Sequence, residues 1–174
     1  MATPGLGGFS VESVGNPSAG TMTISNGGIV TDSAGYIALD GGSAGTVTVN
    51  GTNSMWTNSG GVFVGYNGNG TLTVQSGGTV IDQIGYIALS STSTGNVTVT
   101  GPNATWTNNN NLIVGRSGAG TLTIENGGIV NSGGTVFIAN FPTATGTLNI
   151  GAPADLPAVG PGALVERLGR LGNG

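Results

Sequence analysis

Hydrophobic and polar positions alternate along this chain in short bursts, and the bursts recur. In Gly70-Thr71-Leu72-Thr73-Val74-Gln75-Ser76-Gly77-Gly78 the apolar side chains fall at every second position, the period of a half-buried β-strand. The same stretch stands with small changes at Gly20 (GTMTISNGG) and at Gly120 (GTLTIENGG), 50 residues to either side. A related pattern lies midway, GTVTVNGTNSMWTN from Gly45 and GNVTVTGPNATWTN from Gly95. The chain is therefore a 25-residue repeat whose alternate copies form a 50-residue double unit. A fixed period in this range predicts a solenoid, because one unit buries its apolar face only against its neighbours.

Each unit holds three short apolar runs separated by turn signals. In the copy from Thr71 they are Thr71–Val74, Thr79–Ile81 and Tyr86–Leu89, with Ser76-Gly77-Gly78 as the first turn. Three short strands per turn of chain predict an all-β parallel β-helix of roughly triangular section, with about five to six coils. In the first strand Met22 and Ile24, Val47 and Val49, Leu72 and Val74, Val97 and Val99, and Leu122 and Ile124 face inward, and Leu148 and Ile150 continue the series. A slip of one residue would bury the threonines instead, so this register is strongly specified. The second strand carries Val30, Val80 and Val130 in one type of coil, and Trp56 and Trp106 in the other. Both indoles are expected in one corner, two coils apart. For the third strand, steps of 25 pair Ile37 and Leu39 with Val62 and Val64, then Ile87 and Leu89, then Leu112 and Val114.

The repeat spans 9–151, with Phe9-Ser10-Val11 read as the last strand of an earlier coil. Residues 1–8 are expected to be a disordered N-terminal segment. From 152 to 174 the chain becomes a Pro/Gly-rich tail in which Pro153, Pro157 and Pro161 oppose further strand pairing. Leu164, Leu168 and Leu171 there stand at helical spacing, so the tail is read either as unstructured or as a short helix capping the last coil.

Composition narrows the function classes. The chain has 174 residues, 36 of them Gly, and a net charge of −4, with no His and no Cys. Arg116 is the single cation within the repeats, since the other two arginines, Arg167 and Arg170, are in the tail. Nucleic-acid binding needs several cations on one surface, and none is expected here. Attraction to an anionic membrane fails for the same reason. No run reaches the length of a membrane span, and MATPGLGGF lacks the basic and apolar regions of a signal peptide, so the chain reads as a mature fragment.

The same inventory gives little catalytic chemistry. There is no His, Lys or Cys to act as base or nucleophile, so no catalytic residue, cofactor or metal ligand is expected, and the protein is read as not an enzyme. Asp32 and Asp82 are 50 residues apart and would lie on one corner. Two such carboxylates could in principle serve an inverting glycosidase, but the preferred reading is a polar turn residue after each strand. The Gly pairs lack the G-G-x-G-x-D spacing of a calcium-binding roll. What remains is the outward partner of each inward residue. Thr21, Thr23, Thr46, Thr48, Thr71, Thr73, Thr98, Thr121 and Thr123 form a candidate binding face, interrupted by Asn96 and ended by Asn149.

As a set, the GTLTVQSGGTV units, the W-T-N segments, the LIVG run and the closing GTLNIGAPA resemble the threonine-rich β-solenoid repeats of bacterial autotransporter passenger domains. The resemblance covers about residues 9–165. It implies a Gram-negative origin, secretion through a C-terminal β-barrel and display on the cell surface, and it carries no catalytic residues. The expected role is structural, in adhesion or in self-association through the solenoid ends, with a cell-surface glycan or protein as further partners. The alternative is a binding module, since the Thr-x-Thr ladder also resembles the ice-contacting face of antifreeze β-solenoids and could instead match a glycan.

Overall fold

A computed structural model describes residues 11–151 and 162–166, which form a parallel β-solenoid of three six-stranded sheets. Eighteen strands, β1 to β18 in chain order, make up the sheets. Sheet I stacks β2 (Gly20–Ser25), β5 (Ala44–Asn50), β8 (Asn69–Gln75), β11 (Thr94–Thr100), β14 (Ala119–Glu125) and β17 (Thr145–Ile150). Sheet II stacks β3 (Ile29–Asp32), β6 (Met55–Asn58), β9 (Thr79–Asp82), β12 (Thr105–Asn108), β15 (Ile129–Ser132) and β18 (Ala163–Glu166). Sheet III stacks β1 (Glu12–Val14), β4 (Gly35–Ile37), β7 (Gly61–Val64), β10 (Ile84–Ile87), β13 (Leu112–Val114) and β16 (Val136–Ile138). Coil 1 is β2 to β4, coil 2 is β5 to β7, and so on to coil 6, which holds β17 and β18. β1 belongs to the coil before the first.

Sheet I keeps the register that the alternation dictates. Met22, Val47, Leu72, Val97, Leu122 and Leu148 form one inward column, and Ile24, Val49, Val74, Val99, Ile124 and Ile150 the other. Apart from Met22, Leu148 and Ile150 in the end coils, every member is buried. In sheet II, Val30, Trp56, Val80, Trp106 and Val130 share one column, so the two indoles stand in the same corner two coils apart, as expected.

Sheet III departs from the 25-residue step. Ile37 pairs with Val64, not Val62, and Val64 pairs with Ile87, so the steps are 27 and then 23 residues. The inward column is Ile37, Val64, Ile87, Val114 and Ile138; its partner column is Gly35, Val62, Gly85, Leu112 and Val136. Leu39 and Leu89 are therefore not inward; both are half-exposed. The unequal steps arise before sheet III, because coils 2 and 4 hold one more residue than coils 1 and 3 between sheets I and II and one more between sheets II and III. After each strand of sheet III the chain turns one corner in the same way. Ala38, Gly65, Ala88, Gly115 and Ala139 occupy it with φ of 59°, 74°, 58°, 74° and 55°, a left-handed turn that takes the next residue out of the core. Glycine at Gly65 and Gly115 meets that requirement without strain, whereas the alanines hide it from the sequence.

The ends also differ from expectation. The strand of the preceding coil is Glu12–Val14; residues 1–10 lie outside the described residues. Ala163–Glu166 is a strand that pairs in parallel with β15, not the start of a helix, so the solenoid continues past residue 151. Pro153, Pro157 and Pro161 lie outside the described residues, but strand pairing resumes beyond them in sheet II, where Leu164 prolongs the Val130 column. Leu168 and Leu171 lie outside the described residues. The inner residues at the first end, Val14, Ile24 and Val30, are at most 7% exposed, whereas Ile138 and Ile150 at the last are 46% and 49% exposed. Among the described residues, the end formed by coils 5 and 6 is therefore the one that shows apolar core.

Candidate binding faces

The threonine face is the outer surface of sheet I. Thr21, Thr46, Thr71, Asn96, Thr121 and Thr147 form one column, and Thr23, Thr48, Thr73, Thr98, Thr123 and Asn149 the second. The structure thus brings together all nine threonines singled out from the sequence, on strands fixed from beneath by buried Val, Leu and Ile. Columns of this kind repeat at about 4.8 Å between coils and about 6.5–7 Å along a strand. Asn149 Nδ2 donates to Thr123 Oγ1 at 3.3 Å, tying the last coil to the one before.

A second ordered face was not anticipated. On the outside of sheet III, Tyr36, Phe63 and Tyr86 are in register. Tyr36 stacks on Phe63 with centroids 4.8 Å apart and planes 5° apart, and Phe63 stacks on Tyr86 at 5.2 Å and 6°. Tyr66 meets Tyr36 and Phe63 edge-on, at 5.2 and 5.6 Å. The Arg116 guanidinium lies 5.3 Å from the Phe141 ring centre and 5.7 Å from that of Tyr86. The rings cover one another's faces and offer their edges outward, so the stack chiefly joins coil to coil, at about 0.5–1.5 kcal/mol per pair. Its signal in the sequence is an aromatic immediately before Ile37, Val64 and Ile87.

Inside the solenoid, Asp32 and Asp82 are neither turn residues nor accessible acids. Each is the last, inward residue of its strand, 4% and 0% exposed. Trp56 Nε1 donates to Asp32 Oδ2 at 2.9 Å, and Trp106 Nε1 donates to Asp82 Oδ2 at 2.7 Å. Buried this way they cannot flank a glycosidic bond. Burial pushes the Asp82 carboxyl up to about 8, against the opposing pull of the Trp106 N–H. Asp32 is raised by burial too; its bond from Trp56 opposes the rise and the charge of Glu12 adds to it.

Each indole also needs room in the coil before it. A Cβ on Gly35 would overlap the Trp56 ring, and one on Gly85 would lie 2.8 Å from Trp106 Cζ2. The double repeat is thereby explained: an Asp–Gly coil receives the Trp of the next. Where the column carries Leu164 in place of Trp, the coil before it has Ser132 and Val136 in place of Asp and Gly. Asp, Gly and Trp change together because they are one packing unit. Among the described residues no group of three or more His, Cys, Asp or Glu is placed to hold a metal ion. Compared with protein-family models, curated proteins and solved structures, the chain matches none of them.

Proposed function

We propose that this chain is a structural, non-catalytic segment of a bacterial surface protein: a β-solenoid that holds repetitive faces away from the cell and takes part in adhesion or self-association. The observation that carries this reading is the continuity of register, since the outward residues of sheet I repeat over six coils on one uninterrupted core. Autotransporter passenger repeats, which the sequence resembles, support the same role and a Gram-negative cell surface as its place. Self-association is favoured at the end formed by coils 5 and 6, where the apolar side chains of Ile138 and Ile150 are exposed. Sedimentation velocity over rising concentration tests it. Association is expected in the intact chain and is expected to fall in Ile138→Arg/Ile150→Arg; a monomer at every concentration would remove self-association from the proposal.

The two threonine columns favour a second reading, a binding face for ice or for a glycan. Thermal hysteresis of the intact protein and of Thr48→Tyr/Thr73→Tyr/Thr98→Tyr decides the first of these. If sheet I contacts ice, the intact protein shows hysteresis and the triple variant loses it. Absence of hysteresis in the intact protein excludes ice, and activity that survives the tyrosines moves the contact to another face.

A further inference from the structure

The corner between sheets II and III encloses a line of polar side chains that runs along the solenoid: Asp32, Asn58, Asp82, Asn108 and Ser132. All five are at most 4% exposed. Asp32 is in register with Asn58, Asn108 with Asp82, and Asn108 with Ser132, while Asn58 comes directly after the pair Thr57 and Ile81 in the same direction. Six atoms of this column are buried without a hydrogen-bond partner: Asp32 Oδ1, Asp82 Oδ1 and both amide atoms of Asn58 and of Asn108. Buried polar atoms in native proteins are nearly always paired, and each one left alone costs about 1–3 kcal/mol.

We propose that Asp32, Asn58, Asp82 and Asn108 form one internal chain of hydrogen bonds in which Asp82 is a carboxylic acid at neutral pH, so that the solenoid is stabilised by acid. An ionised carboxylate only accepts, and with both Asp32 and Asp82 ionised the Asn58 oxygen has no donor in the column. A protonated Asp82 supplies it. With amides oriented to suit, the Asn58 N–H meets Asp32, the Asp82 O–H meets the Asn58 oxygen, and the Asn108 N–H meets Asp82. Neighbours one coil apart lie at about 4.8 Å between strands, within reach of a side-chain rotation.

The groups facing Asp82 are the Asn58 amide from β6 and the Asn108 amide and Trp106 N–H from β12. Burial and the Trp106 hydrogen bond account for its shift, with no contribution from a charged side chain. Asp32, the next acid of the column, is two coils away, with Glu12 acting on it. The sign comes from proton linkage. The folded chain keeps the Asp82 proton between its ordinary value of 3.8 and about 8, where the unfolded chain has lost it. The contribution of Asp82 to stability is therefore fully present below about pH 4 and is lost as pH rises through the window, by about tenfold in the folding equilibrium per unit.

Urea unfolding of the intact chain from about pH 4.5 to 8, beside Asp82→Asn, tests this. The expected result is a midpoint that falls steadily with pH in the intact chain and far less in the variant. A midpoint that is level or rises with pH, or a variant with an unchanged slope, overturns the proposal. Should Asp82→Asn fail to fold, the carbon-13 carboxyl resonance of Asp82 in the intact protein decides. A midpoint above about pH 7 supports the acid form, and one near the ordinary carboxylate value of about 4 refutes it.

Discussion

Leu72→Asp is expected to abolish folding, whereas Thr73→Asp, one residue further on, is expected to leave it intact. Leu72 is fully buried at the centre of a column with Val47 on one side and Val97 on the other. Truncating such a side chain costs about 2–5 kcal/mol through lost burial and the cavity left behind. An unpaired carboxylate in its place adds a desolvation cost of several kcal/mol. The sum approaches the whole stability of an ordinary domain, about 5–15 kcal/mol. Thr73 is half-exposed on the outer face, where a substitution costs about 0.5–1 kcal/mol. Far-ultraviolet circular dichroism at room temperature should show β-structure for the second variant alone. Equal loss in both would mean that the two faces of sheet I have been exchanged.

Removing residues 71–120 is expected to harm the fold less than removing 71–95, although it takes away twice as much. The shorter deletion sets coil 4 on coil 2. Trp106 then meets Val62 where it had Gly85, and its N–H meets Asn58 where it had Asp82. Overpacking of this kind costs about 1–3 kcal/mol, and a buried N–H with a poor partner about 1–3 kcal/mol more. The longer deletion removes a complete Asp–Gly–Trp unit, and coil 2 then receives Val130 and Val136, the same residues that coil 4 receives now. In a stacked repeat each lost coil also lowers stability, so simple shortening predicts the opposite order. Thermal melts of the two variants separate the alternatives. Adding Asn58→Asp/Val62→Gly to the shorter deletion should restore much of its melting temperature.

The solenoid, its three sheets and the whole register of sheet I were legible because period-two alternation and a 25-residue step coincide there. The threonine columns were legible for the same reason. Sheet III was not, because the corners before it hide residue insertions that cancel over two coils, and because Ala38 and Ala88 after it take a left-handed turn that only Gly65 and Gly115 announce. Leu39 and Leu89 were assigned inward by the uniform step, and the glycines opposite Val62 were overlooked. Asp32 and Asp82 were read by their polarity, which favours a surface, when their partner was an indole N–H one coil away. That pairing is visible in the sequence only when Asp, Gly and Trp are compared coil by coil. The strand at Ala163–Glu166 was obscured by three prolines, which mark the connection but carry no information about the segment beyond it.

Trp56 and Trp106 are the two tryptophans of the chain, both fully buried, and each indole N–H rests on a carboxyl group. Intrinsic tryptophan fluorescence of this protein therefore has no surface background: every such photon comes from the interior of coils 2 and 4. Because a carboxyl and its carboxylate perturb an adjacent indole differently, the emission is also an optical record of the charge held at Asp32 and Asp82. The acid form proposed for Asp82 would thus be read from inside the solenoid by Trp106 emission, without a label.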